Sequence, residues 1–202
     1  MSNWQPSGVI TITTDFGHKG PFAAVMTGVI VSRYPEARVI DLAHDIPAHW
    51  PPEAGFWLSR SYSYFPNGTV HVAIVDPGVG TEREILLVEK DGHIFMSPDN
   101  GLLAPVLADA DRICNLNHDG LTKFGVESPS LTFHGRDVFA PLAAELAAGR
   151  ISIDDVGSDT ADWTPSWLED PKVQAGRVSG IVVTIDAFGN LISNIDGSLI
   201  DG

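Results

Sequence analysis

The most informative segment of the sequence is Thr69-Val-His-Val-Ala-Ile-Val-Asp-Pro-Gly-Val-Gly-Thr-Glu-Arg83. Its first half, Val70 to Val75, is a short and almost uninterrupted apolar run, which is typical of a strand buried on both faces of a sheet. The run ends at Asp76, and the Pro-Gly-x-Gly sequence after it forces the chain into a loop. Open α/β sheets place their ligands at the carboxyl ends of parallel strands, so Asp76 is a candidate site residue and Arg83 can fold back beside it. The alternative is that Asp76 only caps the turn.

The composition is that of a globular protein with a substantial core. The chain has 202 residues, of which 44% are hydrophobic and 19% charged, and this length suits one domain with at most a small appendage. The formal net charge of −14 repels phosphate backbones and argues against a nucleic-acid partner. No apolar run reaches the roughly 20 residues of a membrane span, and residues 1–8 lack the pattern of a signal peptide. Cys114 is the only cysteine, so we expect no internal disulfide and a cytoplasmic location.

Strands and helices alternate along the first three quarters of the sequence. Predicted strands cover residues 9–13, 38–42, 70–75, 85–89 and 94–96. Predicted helices cover residues 22–34, 51–64, 102–109 and 140–148. The Asp91-Gly92 pair between two of the strands predicts a hairpin. This order predicts an α/β fold with a mostly parallel sheet and helices on both of its faces.

The character of the sequence changes after Arg150. We divide the chain into an N-terminal α/β domain (residues 1–150), a linker (151–177) and a partial C-terminal β segment (178–202). The linker is rich in Asp, Pro, Trp and Gly, and we expect Trp163 and Trp167 to pin it to the first domain. The last segment is too short to bury its own core, so we expect the start of a small, truncated β domain that packs on another element, such as a neighbouring subunit.

Two further residues near predicted element ends have both a functional and a structural interpretation. Asp15 is placed to accept hydrogen bonds from a ribose diol, or it serves only in a turn. The Asp15-Phe-Gly17 tripeptide matches the magnesium-holding motif of protein kinases, but the other kinase motifs are missing. His134 precedes the Ala-rich helix, and a lone histidine is more often structural than catalytic.

A metal site would have to draw on histidines and carboxylates from several predicted strand ends. The set consists of His44, Asp45, His49, His71 and Asp76. Their spacing does not match H-E-x-x-H or a comparable motif, and His71 alternates with valines inside a strand. We therefore expect no metal site.

Six segments, taken in order, resemble one family. They are Thr13-Thr-Asp-Phe-Gly17, Asp41 to Pro47, Pro66 to Arg83, Ser97-Pro-Asp-Asn-Gly-Leu-Leu103, Thr132-Phe-His-Gly-Arg-Asp-Val-Phe-Ala-Pro141 and Ile185 to Asn194. Over nearly its whole length the chain resembles the S-adenosylmethionine hydroxide adenosyltransferases, which are relatives of the fluorinase and chlorinase enzymes. Each segment alone is a weak signal, but the ordered set is specific.

The resemblance implies a reaction in which water attacks the 5′ carbon of S-adenosylmethionine and methionine leaves. It implies Asp76, Arg83 and His134 as the catalytic set. Because the sulfonium departs as a neutral thioether without an acid, the protein has to supply a positioned, partly desolvated water. Arg83 would favour hydroxide character in that water, and Asp76 and His134 would orient it; either of the two is a candidate to accept its proton. S-adenosylmethionine is the substrate, and no cofactor is expected.

The resemblance also implies a substrate-binding set and a homotrimer with sites between subunits. The set consists of Asp15, Phe16, His49, Trp50, Phe133, Asp186, Phe188 and Asn190. Asp15 would hold the ribose hydroxyls, while Phe188 and Asn190 would meet the adenine across the subunit boundary. Asp186 would meet the methionine amine. Where the family places an aromatic residue near the ribose, the register gives His49, with a tryptophan beside it.

Two positions separate hydrolysis from halogenation. Halogenating relatives carry Tyr where this chain has Asp76, and Tyr-Ser where it has His134-Gly135; those residues suit a desolvated halide, whereas hydrogen-bonding groups favour hydrolysis. Gly20 departs from the family, whose members commonly have an Asp there that contacts the amino-acid part of the substrate. Three alternatives stay open: a nucleoside- or S-adenosylmethionine-binding protein without turnover, a halogenase, and a metal-dependent hydrolase.

Overall fold

A computed structural model describes residues 4–117 and 121–200. In the sheet-forming part of the chain the strands are β1 (Val9–Thr14), β2 (Arg38–Ala43), β3 (Val70–Ile74), β4 (Ile85–Lys90), β5 (His93–Pro98), β6 (Arg112–Leu116) and β7 (Gly157–Asp159). The helices are α1 (Phe22–Arg33), α2 (Pro51–Ser61), α3 (Ala104–Leu107), α4 (Ala140–Ala147) and α5 (Ile153–Val156). The remaining strands are β8 (Lys172–Gln174), β9 (Arg177–Ser179), β10 (Val182–Ile185) and β11 (Leu191–Ser193).

The first seven strands form one sheet in the order β2-β1-β3-β5-β4-β6-β7. Strands β2, β1, β3 and β5 are mutually parallel neighbours, and β4 is antiparallel to both β5 and β6. β3 lies between β1 and β5, with all five of its residues buried. The predicted mostly parallel sheet is confirmed, and the position of β3 inside it explains the unbroken apolar sequence of this strand.

Helices cover both faces of this sheet, as predicted. On one face α1 and α4 pack against β1 and β3, through a core that includes Ile12, Met26 and Leu142. On the other face α2 and α3 pack over a second core that includes Ala73 and Phe95. Successive β3 residues point alternately into these two cores, which fixes the register of the strand.

Most element boundaries match the sequence-based predictions, and the differences have local causes. The β4–β5 hairpin is confirmed: Asp91 and Gly92 both have positive φ, at 51° and 76°, as a two-residue type I′ turn requires. The helix predicted over 102–109 is shorter, because the backbone turns extended at Ala108 (ψ 125°) and left-handed at Asp109 (φ 59°).

Residues 151–200 contain more structure than the sequence indicated. β7 joins the edge of the main sheet by pairing with β6, and α5 begins with a capping box between Ser152 and Asp155. The chain then crosses the surface, where Trp167 packs edge-on against Trp50 at 6.2 Å, before the hairpins β8–β9 and β10–β11. The ring nitrogen of Trp50 also donates to the carbonyl of Val183 at 3.2 Å. The tail therefore contacts the first 150 residues both by strand pairing with β6 and through the side chains of Trp50 and Trp167.

None of the helices in the described ranges combines the length and apolar character that a membrane span requires.

Candidate active site

Asp76 and Arg83 form an ion pair at the carboxyl end of β3. Nε and Nη2 of Arg83 donate to Oδ2 of Asp76 at 2.8 and 2.5 Å. The carboxylate side chain is 5% exposed and the guanidinium side chain 10%. A charge this buried is tolerated only when a countercharge and hydrogen bonds replace its lost hydration, so each group stabilises the other. The N–H of Gly78 donates to Oδ1 of Asp76 at 3.1 Å, so the carboxylate also caps its own turn.

His134 meets the same guanidinium from a distant part of the sequence. Its Nδ1 lies 3.1 Å from Nη2 of Arg83. A guanidinium has only donors, so Nδ1 is the acceptor in this contact and the neutral ring carries its proton on Nε2. His134 directly precedes a π-helical turn, Gly135–Phe139, that leads into α4; such turns recur at functional sites. Asp76, Arg83 and His134 are thus brought together, while their catalytic roles stay predictions.

The loop that carries Arg83 and the segment that carries His134 are packed tightly at Gly80. Gly80 has φ +78°, and a Cβ there would lie 2.1 Å from the carbonyl oxygen of Leu131. Only glycine allows both this backbone conformation and this approach. Beside the contact is an open cavity of about 360 Å³. It is lined by Gly80, Thr81, Glu82, Arg83, Glu84, Pro129, Leu131 and His134. Two of the three predicted catalytic residues therefore face one cavity, and Asp76 lies behind Arg83.

Asp15, the predicted ribose ligand, follows β1 at the same edge of the sheet. Its Oδ2 accepts the backbone N–H of His49 at 3.2 Å, and His49 has φ 63°, a conformation that costs a non-glycine residue about 1 kcal/mol or more. Such strain next to a carboxylate is typical of a binding site. The two residues predicted near the ribose, His49 and Trp50, differ in their surroundings. Trp50 is half-buried and bonded to Val183, whereas the His49 side chain is exposed.

Phe16 and Phe133 lie in a second cavity, of about 470 Å³. Together with Phe22 they form a cluster of three edge-to-face rings, with centroids 5.6 to 6.1 Å apart. The guanidinium of Arg136 lies 5.2 Å from the centre of the Phe133 ring. A Cβ at Gly20, the position that departs from the family, would lie 2.7 Å from the Phe22 ring. The Phe22 ring therefore occupies the space that a side chain at position 20 would need.

The predicted adenine and amine ligands lie together on one turn of the C-terminal hairpin. Oδ1 of Asp186 accepts the N–H groups of Phe188 and Asn190, both at 2.9 Å, and its Oδ2 accepts the Asn190 side-chain amide at 2.7 Å. These bonds, led by the one from the Asn190 side chain, lower the pKa of Asp186. The Phe188 ring is 91% exposed. Within the described chain no hydrogen bond or ring contact joins this turn to the Asp76 cluster, so its role in binding stays a prediction.

The residues of the metal alternative do not converge. His71 bonds Thr11 and His93 inside the sheet, and His44 bonds Thr14 and faces Asp41 at 3.0 Å. Over residues 4–117 and 121–200, no three His, Cys, Asp or Glu side chains are arranged to hold a metal ion. The donor set therefore does not fit a metal centre.

Comparison with known proteins identifies the family. Residues 10–157 match the model of the SAM hydroxide adenosyltransferase N-terminal domain. The chain belongs to this family. The family resemblance inferred from the sequence motifs is therefore confirmed.

Individual relatives of this SAM hydroxide adenosyltransferase agree with the family assignment. It is 38% identical to the (R)-S-adenosyl-L-methionine hydrolase of Salinispora arenicola, over 95% of this chain and 74% of that one. It is 34% identical to the protein of the same name from Methanocaldococcus jannaschii, over 93% and 66%. A fluorinase from an Actinoplanes species is 27% identical, over 93% and 71%. The crystal structure of an uncharacterized conserved protein from Thermotoga maritima superimposes with a TM-score of 0.86 at 34% identity, over 94% and 72%.

Three features of the SAM hydroxide adenosyltransferase site were not predicted from the sequence. Phe22 completes the aromatic cluster, and its place at the start of an exposed helix gave no signal. The π-helical turn after His134 has no recognisable sequence pattern. Asn100 lies in one of the six resembling segments, but its contact with the carbonyl of Val75 depends on tertiary structure.

Proposed function

We propose that this protein hydrolyses S-adenosyl-L-methionine to adenosine and L-methionine. One observation carries the proposal: in a SAM hydroxide adenosyltransferase, a guanidinium paired with a buried carboxylate meets an imidazole from a distant point of the sequence, and the guanidinium and the imidazole line one cavity. The names of the relatives, at 38% and 34% identity over most of the chain, support the same activity.

In the proposed step, a water oxygen forms a bond to the 5′ carbon of the ribose while the bond from that carbon to sulfur breaks. The bonding electron pair stays on sulfur, which turns the sulfonium into the neutral thioether of methionine. No acid is needed for this departure. The protein lowers the barrier by holding the water in line and removing it from bulk solvent.

The three residues divide the work with the water. Arg83 supplies a permanent positive charge that favours hydroxide character. We assign the proton to Asp76, because Nδ1 of His134 already accepts a hydrogen bond from Arg83. The Asp76 carboxylate offers about four acceptor sites, and the described donors from Arg83 and Gly78 use three. His134 lines the cavity and orients the water.

Substrate binding follows from the predicted set. Asp15 would accept the ribose hydroxyls beside His49, and Phe16 and Phe133 would contribute apolar wall. Asp186, Phe188 and Asn190 would complete the site from a neighbouring subunit of a homotrimer, since the exposed Phe188 ring is available to a partner. The homotrimer and the cytoplasmic location stay predictions.

The test is turnover in water labelled with oxygen-18, followed by mass spectrometry. We expect adenosine with one label at the 5′ oxygen, and unlabelled methionine. Both sulfonium epimers are supplied separately, because the relatives are named for the (R) form. Adenosine without label overturns the mechanism. Calorimetric binding without any product indicates a binding protein instead, and 5′-chloro-5′-deoxyadenosine in the presence of chloride indicates a halogenase.

A further inference from the structure

The loop after β5 holds both ends of the loop that carries Asp76 and Arg83. The side-chain amide of Asn100 donates from Nδ2 to the carbonyl of Val75 at 2.7 Å, and Val75 directly precedes Asp76. The backbone N–H of Asp99 donates to the carbonyl of Glu84 at 2.9 Å, and Glu84 directly follows Arg83. Two consecutive residues thus fasten the entry and the exit of the loop.

The hydrogen bond from Asn100 reaches the first backbone carbonyl beyond the paired part of β3. β3 pairs with β1 as far as Ile74, so the carbonyl of Val75 lies just beyond the paired strand. Val75 is fully buried, where an unpaired carbonyl costs about 1–3 kcal/mol. The Asn100 side chain supplies the donor that a neighbouring strand would otherwise provide, and this extends the ordered backbone to the residue before the carboxylate.

The Asn100 amide is itself held in one orientation. Its Oδ1 accepts the N–H of Leu102 at 3.2 Å, so both ends of the amide are bonded. On one side, the N–H of Thr164 donates to Oδ1 of Asp99 at 2.8 Å. On the other, a Cβ at Gly101 would lie 2.4 Å from the carbonyl oxygen of Pro165. The loop from Asp99 to Gly101 is therefore packed between the β3 end and the crossing segment, and it has little freedom to shift.

We infer that Asn100 is a positioning residue, which sets the spacing of Asp76 and Arg83 by fixing the backbone at Val75. This inference rests on the proposed hydrolysis. Asn100 does not act on the substrate, so its loss is expected to lower the rate of the chemical step and to leave substrate affinity nearly unchanged. Misplacing a catalytic group by about 1 Å costs about 10²-fold in rate.

Two variants test the inference. Asn100→Leu removes the donor at similar volume, and we expect kcat to fall about 30- to 100-fold while KM stays within about threefold. Asn100→Asp keeps the acceptor for Leu102 but donates to Val75 only when protonated. Its kcat deficit relative to the wild type is therefore expected to shrink as the pH falls from about 8 to about 5.

The control is Asn117→Leu. Its Oδ1 accepts the Ser158 hydroxyl at 2.7 Å, at the β6–β7 edge of the sheet. We expect its kcat and KM to match those of the wild type. Melting curves of all variants are recorded.

The outcomes separate this inference from the proposed function. A wild type without turnover refutes the function. A wild type with turnover whose Asn100→Leu variant keeps kcat within about twofold overturns the positioning role, as does a rise in KM that accounts for the whole loss. If Asn100→Leu fails to fold, the Asn100→Asp variant decides, and a deficit that is constant with pH overturns the role.

Discussion

A titratable side chain lies near each end of β3, and the surroundings of the two side chains differ. At its amino end His71 is completely buried, with Nδ1 bonded to Thr11 at 2.7 Å, Nε2 bonded to His93 at 3.1 Å, and its ring stacked on Phe95. Burial, followed by the charge of His93, lowers the pKa of His71 to about 3. At the carboxyl end, Asp76 is nearly as buried but is paired with Arg83.

The surroundings of the two groups separate a structural polar side chain from a candidate catalytic one. Burial lowers the pKa of both histidines, and the charge of Asp91 opposes this only at His93, so the pair behaves as polar core. Asp76 has a permanent countercharge and lies beside a cavity, so its charge can act on a ligand.

The largest effect is expected at the carboxyl end. Asp76→Asn keeps the shape of the side chain but removes its charge and its ability to accept a proton, and kcat is expected to fall by about 10³-fold. His134→Gln is expected to cost about tenfold, because it removes orientation but not the proton acceptor. Steady-state assays of adenosine release measure both. Asp109→Asn, an exposed carboxylate on a left-handed turn that Asn also tolerates, is the control. A greater loss in His134→Gln than in Asp76→Asn contradicts the assignment of the proton.

The next effect is the acid sensitivity of the amino end. The pKa of His71 is lower in the folded chain than in the unfolded one. Below about pH 6.5 the unfolded state therefore binds more protons, and the free energy of unfolding decreases as the pH is lowered. The free energy of unfolding is expected to drop by about 2.5 kcal/mol from this residue between pH 7 and about pH 4.5. Urea titrations at both pH values measure it.

A double variant isolates the contribution of His71. Replacing His71→Phe together with Thr11→Val removes the titratable ring and the hydroxyl that would lose its partner. Between pH 7 and about pH 4.5 its free energy of unfolding is expected to change by about 2.5 kcal/mol less than that of the wild type. An unchanged pH dependence would show that His71 does not titrate as described.

A smaller effect is expected where the two site loops touch. Gly80→Ala places a Cβ against the carbonyl of Leu131 in a left-handed conformation, and we expect a loss of about 2 kcal/mol in stability together with about tenfold in kcat. Gly176→Ala is the matched control, because Gly176 has φ +72° and nothing lies within 4 Å of its added Cβ. The Gly176→Ala variant therefore loses only the stability that the left-handed backbone conformation costs an alanine. Equal losses in thermal melts of the two variants contradict the close packing at Gly80.

The smallest effect is expected at the rim of the histidine pair. The Tyr62 hydroxyl donates to Oδ2 of Asp91 at 2.7 Å, and this bond is the main cause that raises the pKa of Tyr62 to about 12. In Asp91→Asn the ultraviolet titration of this tyrosine is expected to move toward pH 10, with stability changed by less than about 1 kcal/mol because the carboxylate is exposed. Asp111→Asn removes a neighbouring exposed carboxylate and controls for the general electrostatic effect of losing one negative charge. A Tyr62 titration that stays near 12 rules out the bond as its cause.

The elements that could be predicted from the sequence are those with a local or periodic pattern of residues. The β1, β2, β3 and β5 runs, the Asp91-Gly92 turn and the seven-residue spacing of Asp76 and Arg83 could all be recognised from the sequence. β7 could not, because its three residues, Gly157–Asp159, carry no alternation and are ordered only by pairing with β6. The convergence of His134 with Arg83 was implied by family resemblance alone. No periodic pattern connects residues 51 positions apart, since tertiary packing brings them together.

The strand order has a consequence for folding. The four adjacent parallel strands come from residues 38–43, 9–14, 70–74 and 93–98, so the middle of the sheet is assembled entirely from non-local pairings. Such pairings close slowly, since long loops must be ordered before any contact rewards them. During synthesis β1 can pair with β3 only after residues 70–74 have left the ribosome, and the carbonyl before Asp76 gains its bond from Asn100 only once that residue has emerged. Because of this connectivity, we expect the nascent chain to gain protection from proteolysis late in synthesis.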